Sequence, residues 1–415
     1  MNKARKILMG NEMENEIGIR VNFDMKIPAE IIMLKDLFKA KGAQLFVVGG
    51  AVRDSLLGKA PKDFDLATNA LPDEIVSIFT GNFEIKETFL NKDKEVEGYI
   101  LKNGLRLNFQ GKQFGIIAVY NLKDLPTGVE IATFRKDLSG GRRPDAVEFT
   151  SIFEDVKRRD LTINALFYDL DTREVVDLVG GIDDLRKGII RTVGSAKERF
   201  TEDRLRILRA IRFAGRFGSE LHEDIDAFLL IDSKLDGVFG ERIRDEFMSG
   251  IKNAKKTSEY LKMIEKYDLF KYIFPGLIIN KNFIDSNDTL LVITTLLKNN
   301  CLKDDNCLEI LAVKLNTAKY SKNFIKSISF LISMLKLSED NAYVLKKAQR
   351  NSFVEDKQLS TFLKMNSMDS KLIKSFLKFQ LTISSKELIA SGFKESALGE
   401  EIKRLETLSF TTLLK

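Results

Sequence analysis

Histidine is almost missing from this chain: one residue, His222, among 415. Imidazole acid–base chemistry, a Ser-His-Asp triad or a His-Asp metal phosphohydrolase centre would each have to run through that side chain. Its setting, GSELHEDIDAF, reads as a turn and helix start, which predicts a surface residue. Cysteine is nearly as scarce, with Cys301 and Cys307 alone. So few ligands exclude a zinc site of the usual type and a disulfide scaffold, and a reducing, cytoplasmic setting is the expectation. No apolar run approaches the length of a bilayer span, and the segment MNKARKILMGNEMENE lacks a signal-peptide core. No membrane partner is expected, and chemistry has to come from carboxylates, arginines and metal.

What is present is ordinary in bulk and uneven in distribution. Hydrophobic residues make up 44% and charged residues 30%, which suits two to four globular domains or subdomains. The net charge of +6 is too small to establish nucleic-acid binding by itself. Thirteen arginines fall between Arg142 and Arg216, whereas residues 279–415 hold only Arg350 and Arg404 among many lysines. Arginine forks suit recognition; lysines suit sequence-blind attraction to phosphate, or merely solvate helix faces. From Gln44 to about Leu178 strand-like runs alternate with helices, and NALFYDL and EVVDL flank the polar turn Asp171-Thr172-Arg173 as a hairpin. Beyond Phe200 strand signals nearly vanish, and amphipathic helices follow.

Asp63 and Asp65, in PKDFDLAT, carry the strongest chemical signal. Strand periodicity sends them to one face, where two carboxylates repel unless a cation sits between them. Hard oxygen ligands in small number suit Mg²⁺ with substrate phosphates. DxD alone is equally a surface turn or cap. Its context is more specific: LFVV (Leu45 to Val48) reads as a buried strand ending at Gly49-Gly50, and Ala51 to Leu57 as a helix opening with Arg53 in its first turn. Together they describe a phosphoryl or nucleotidyl transfer site.

Further clusters accompany it. VEIATFRKD places Glu130 on a strand, with Arg135 beyond it; the glutamate either orients a metal, accepts a hydroxyl proton or is structural. SGGRRPDAVEF reads as a flexible basic loop carrying Arg142 and Arg143. In KRRDLTINAL, an arginine pair, Arg158 and Arg159, precedes Asp160, and Asn164 shares a face with Asp160 if the segment is helical. The arginine pair is expected to face the metal site and neutralise a triphosphate, with Asn164 at a ribose hydroxyl; a purely structural Arg–Asp network is the rival reading. Glu202 to Phe217 reads as one helix on which Asp203 and Arg206 are neighbours. A carboxylate only accepts and a guanidinium only donates. The two are ordinarily an ion pair; if both face a base, they match the amino donor and ring acceptor of cytosine and adenine and reject guanine and uracil. Arg209 and Arg212 follow at intervals of three and point to phosphates or an RNA end.

The ordered set GGAVRDSLLGKAPKDFDLAT, EIATFRKD, GGRRPDAVEF, RRDLTINAL, DLVGGIDDLRKGIIRTVG and EDRLRILRAIRFAGRFG resembles the class II tRNA nucleotidyltransferase (CCA-adding enzyme) and bacterial poly(A) polymerase family. The likeness covers roughly residues 28–275, with ERIRDEF and YIFPG resembling the neck. It implies an α+β head like the DNA polymerase β nucleotidyltransferase fold, followed by an all-α neck, body and tail. The implied divisions are an extension over 1–27, the head over 28–178, the neck over 179–278 and a tRNA-binding body and tail over 279–415. It implies two Mg²⁺ ions held by Asp63 and Asp65, with Glu130 assisting catalysis. CTP and ATP would be bound by Gly50, Arg53, Arg159, Asp160, Asn164, Asp203, Arg206, Arg209 and Arg212. Arg135, Arg142 and Arg143 would belong to the flexible loop, and the acceptor would be the tRNA 3′ end. Extra length around 98–128, including GKQFGIIAV, is similar to a segment of poly(A) polymerases, whereas the intact GGRRPD favours addition of the terminal A. Poly(A) addition, transfer to a small molecule or protein, and non-catalytic RNA binding are the other readings.

Overall fold

The computed structural model describes residues 5–7, 18–138, 147–301 and 307–414. They form two compact units, one comprising Met1–Ala210 with Ser219–Asp232, the other Ile211–Gly218 with Ser233–Lys415.

The first unit is built on a sheet of eleven strands. In chain order its elements are β1 (Arg5–Ile7), β2 (Gly18–Asn22), α1 (Ala29–Lys39), β3 (Leu45–Val48), α2 (Gly50–Leu56), β4 (Asp65–Thr68), α3 (Pro72–Asn82), β5 (Ile85–Leu90), β6 (Val96–Leu101), β7 (Arg106–Asn108), β8 (Ile116–Tyr120), β9 (Val129–Thr133), β10 (Arg135–Asp137), β11 (Val147–Phe149), α4 (Ile152–Lys157), β12 (Leu166–Asp169), β13 (Glu174–Asp177), α5 (Gly181–Lys187), β14 (Ile189–Ile190), α6 (Ala196–Glu202), α7 (Leu205–Phe217, of which the residues from Ile211 belong to the second unit), β15 (Glu220–Leu221) and α8 (Glu223–Ile231). The strand order is β1-β2-β13-β12-β3-β4-β9-β8-β7-β6-β5. Only β4 and β9 run parallel; the other neighbouring pairs of this sheet are antiparallel.

Strand LFVV is buried along its whole length because it lies mid-sheet with both faces covered. Leu45 and Val47 join the core lined by Ile31, Leu34 and Phe38 of α1 and Ile75, Ile78 and Phe79 of α3. Phe46 and Val48 face the opposite layer with Phe134, Val156 and Phe167. The period of two therefore divides one strand between two cores. The expected hairpin forms as β12–β13, with Leu166 opposite Asp177 and Asp169 opposite Glu174. The extra length around 98–128 supplies β6, β7 and β8, a meander that widens the sheet on one side.

Part of the segment expected as an extension belongs to this sheet. β2 pairs with β13, and Arg20 donates to Asp169 and Glu174 at 3.0 and 3.3 Å. Its short alternating run carries weak periodicity, and only the partner strand reveals it. Residues 179–210 also group with the first unit. Asp177 accepts from the backbone N–H groups of Val179, Gly180, Gly181 and Ile182, which ties the start of α5 to the end of β13.

The second unit is helical among its described residues, with α9 (Gly240–Asn253), α10 (Thr257–Lys266), α11 (Phe270–Ile273), α12 (Thr289–Leu297) and further helices to Glu395–Leu414. Tyr260 of α10 is fully buried and packs on Phe247 of α9. A side chain at Gly250 would run into the Tyr260 ring. Gly250→Ala is therefore expected to cost about 1–3 kcal/mol through overpacking, measured by denaturant unfolding. His222 caps α8, its Nδ1 accepting from the Asp224 N–H at 3.3 Å, in keeping with a helix-start residue. Among the described residues no helix is long and apolar enough to cross a membrane.

Candidate active site

The turn after β3 supplies the floor. Gly49 adopts φ +68°, a left-handed conformation that a side chain would strain, and a Cβ there would approach the Asn164 carbonyl. The helix that follows, α2, is only seven residues long, so its dipole contributes little. Arg53 is 4% exposed, its guanidinium bonded to Asp54 and to the Asn164 carboxamide. It lies beneath the turn, its Nη2 3.6 Å from where a Cβ on Gly50 would stand.

β4 begins at Asp65, so Asp63 sits in the lead-in rather than on the strand. The expected same-face alternation within one strand therefore gives way to a loop carboxylate beside a strand carboxylate. Thr127 Oγ1 donates to Asp63 Oδ1 at 3.4 Å. The parallel pairing of β4 and β9 sets Asp65 opposite Glu130. Crowding by protein pushes the Asp65 carboxyl above its ordinary range; Arg159 opposes this and Asp63 adds to it. Crowding and the Asp65 charge push Glu130 the same way. Negative charge is thus concentrated without enough compensation from protein, which is the electrostatic condition a bound cation relieves. Among the described residues no three or more Asp, Glu, His or Cys converge as a metal cage. Two carboxylates are a donor set that would suit Mg²⁺, a hard cation that takes few protein oxygens.

The RRD segment does not present an arginine pair. Arg158 turns toward α4 and β10, donating to Asp155 and to the Arg135 carbonyl. Arg159 alone faces the site. Its guanidinium lies 4.5 Å from the Phe167 ring centre, and its Nη1 is 4.0 Å from where a Cβ on Gly49 would stand. Thr162–Asn164 is a single 3-10 turn. Asn164 Nδ2 donates to Asp160 at 3.4 Å, and Arg209 donates to Asp160 Oδ2 at 2.7 Å. Burial would raise the Asp160 carboxyl, but Arg209 and the other donors hold it below the usual range. A continuous chain, Arg53–Asn164–Asp160–Arg209, thereby binds the glycine turn to the start of α7.

The helix expected over Glu202 to Phe217 is two helices. α6 ends at Glu202, Asp203 is extended, and α7 begins at Leu205. Aspartate competes with the backbone for hydrogen bonds, and here Oδ1 of Asp203 accepts from the Leu205 N–H at 3.0 Å. Asp203 and Arg206 therefore stand at a helix junction and not on one helix face, the Arg206 N–H donating to the Asp203 carbonyl at 3.0 Å. Arg206 donates to Glu202 at 2.7 Å and to the Arg158 carbonyl at 2.9 Å, which fixes it next to the RRD segment.

Two expected residues fall elsewhere, and two more lie outside the described residues. Arg135 lies not in a loop but in β10, 8% exposed and bonded to Asp137 and the Phe114 carbonyl. Arg142 and Arg143 lie outside the described residues. Arg212 belongs to the second unit, where it pairs with Glu246 at 2.5 Å. Sequence reading missed Asp155, although its spacing of three and four residues from Arg158 and Arg159 is the signal of a helical ion-pair cluster. It also missed Phe167 and Glu202, whose roles depend on what packs beside them.

Residues 45–100 and 91–191 match the family described as Poly A polymerase head domain. A CCA-adding enzyme of Leuconostoc mesenteroides is 36% identical over 254 residues, 60% of this chain and 55% of that protein. The head of the chain belongs to that family, and the chain is similar to CCA-adding enzymes and poly(A) polymerases. Poly(A) polymerase I of Salmonella typhi is 30% identical over 326 residues, 72% of this chain and 63% of that protein. The chain thus spans less than two thirds of the length of these curated relatives. The crystal structure of the Bacillus stearothermophilus CCA-adding enzyme in complex with CTP shares the fold, with a TM-score of 0.67, 22% identity and 94% of each chain covered. The family's α+β head followed by helices is the architecture seen here.

Proposed function

We propose that this chain is a template-independent RNA 3′-end nucleotidyltransferase that adds CCA to tRNA from CTP and ATP with release of pyrophosphate. The observation that carries the reading is the convergence of Asp63, Asp65, Glu130 and Arg159 beside the Gly49-Gly50 turn in a head of this family. Asp63 and Asp65 would hold Mg²⁺, which when bound lowers the charge on the triphosphate and the pKa of the attacking hydroxyl. Gly49 and Gly50 let the triphosphate approach the backbone closely, while the Arg159 Nη1 meets its oxygens and Arg53 adds positive field from below. Glu130, in register with Asp65, receives the proton of the 3′-hydroxyl as it attacks the α-phosphorus. Asp203 and Arg206 read the base by accepting from its amino group and donating to its ring nitrogen. Asp160 and Asn164 hold this reader against the glycine turn. The lysine-rich stretch 279–415 draws the tRNA backbone without reading it.

Poly(A) addition is the second reading, since the Salmonella relative aligns over more of the chain than the Leuconostoc one. Purified protein incubated with tRNA lacking its CCA end, CTP and ATP distinguishes them. The expected product gains C, C and A and stops; runs of A alone would establish the poly(A) reading. tRNA affinity is expected to fall steeply with added salt, checked by filter binding between low and moderate ionic strength.

A further inference from the structure

Asp155 stands at the back of the site and touches none of the reacting groups. It is 1% exposed, on α4, and among the described residues its carboxylate accepts hydrogen bonds from arginines alone. Its Oδ2 accepts from Nε and Nη2 of Arg159 at 3.1 and 3.0 Å. Its Oδ1 accepts from Nε and Nη2 of Arg158 at 3.0 and 2.7 Å, and from the Arg135 N–H at 3.2 Å. Burial alone would neutralise the carboxyl, but the two guanidiniums hold it below the usual range, so the anion is the resident form.

This geometry fixes Arg159 in one orientation. Asp155 takes the Nε–Nη2 edge, the Phe167 ring covers one face, and Nη1 is left beside Gly49 with no hydrogen bond to the described residues. An arginine gripped along its side edge presents its remaining N–H groups in a fixed direction, at little entropic cost when an anion arrives. The same carboxylate holds Arg158, whose carbonyl receives Arg206. We propose that Asp155 is a positioning residue for nucleotide binding: it aims Arg159 at the triphosphate and, through the Arg158 carbonyl, steadies Arg206. The inference rests on the nucleotidyltransferase reading above and names the residue that organises its anion contact.

The test is a double-mutant cycle on CTP and ATP affinity of the full chain, measured by calorimetric titration with Mg²⁺ present, alongside nucleotide KM with the tRNA acceptor. Asp155→Asn keeps the volume but replaces one acceptor oxygen with an NH₂ facing an arginine. It is expected to weaken nucleotide affinity about tenfold or more, with tRNA affinity unchanged. Arg159→Lys cannot make the two-point contact and is expected to lose a similar factor. In the Arg159→Lys background, Asp155→Asn is expected to add little further loss. Asp155→Glu, which keeps both oxygens one methylene further out, replaces Asn if that variant does not unfold cooperatively. Asp169→Asn, a buried carboxylate serving Arg20 at a hairpin, is the control: it is expected to lower stability without changing nucleotide affinity. Additive losses in the cycle, or wild-type affinity in the Asp155 variants, overturn the proposal. If the wild-type chain binds CTP but never extends tRNA, the nucleotidyltransferase reading fails, while the cycle still decides the role of Asp155.

Discussion

Asp65→Asn is expected to abolish nucleotide incorporation, by about 10³-fold or more, while making the protein more resistant to heat at neutral pH. The two effects have one origin. Asp65 is crowded by protein and faces Asp63 and Glu130, so its carboxyl has a folded-state pKa above the unfolded one. The folded chain therefore holds that proton more tightly than the unfolded chain. The stability this contributes is complete below the unfolded carboxylate pKa of about 3.9 and is lost as pH rises through the raised folded value. Above that window the wild type carries the repulsion in full, and the amide does not. Melting curves of both proteins should converge near pH 4 and separate as pH rises, with the variant higher. Added Mg²⁺ should raise the melting temperature of the wild type and leave that of Asp65→Asn nearly unchanged. A variant less stable at every pH, with unchanged incorporation, would make Asp65 a structural carboxylate.

Arg206→Ala is expected to damage the choice of nucleotide more than the binding of tRNA. A buried site that pairs its donors and acceptors with a base rejects mismatched bases by on the order of 10⁴-fold, because the wrong base leaves polar groups unpaired. Without the guanidinium, preference for CTP and ATP over GTP and UTP should shrink to about tenfold or less. Primer extension with each nucleotide alone reads this directly, and filter binding reads the tRNA term. Glu202→Gln should have the same kind of effect at smaller size, since it weakens the 2.7 Å ion pair that orients Arg206 without removing the reader. Unchanged preferences in both variants would remove Arg206 from base selection.

Much of this arrangement was legible in linear sequence because its chemistry is local. LFVV before two glycines specified a buried strand and a turn, and the hairpin of β12 and β13 followed from two apolar runs around a polar turn. The region of Asp203 and Arg206 was recognisable by residue type. Its local conformation was not, since the hydrophobic stripe of a helix continues past a break that a single aspartate cap creates at 203. Arg135 misled for a related reason. Proximity in sequence to a glycine-rich stretch suggested mobility, whereas β10 and the Asp155 carboxylate fix its backbone in the interior.

The sequence by itself determined which chemistry is open to this protein: one histidine and two cysteines leave carboxylates and arginines, and DxD with a glycine turn directs them to phosphate. Only the tertiary structure decided which of those groups act together. Glu130 meets Asp65 through a parallel register between strands separated in the chain by α3, β5, β6, β7 and β8. Of the adjacent Arg158 and Arg159, one turns to the β10 backbone and one to the glycine turn, because a single buried carboxylate on α4 grips both and the Phe167 ring covers only the second. Residue type is a property of the chain, but the direction of a charge depends on the packing around it.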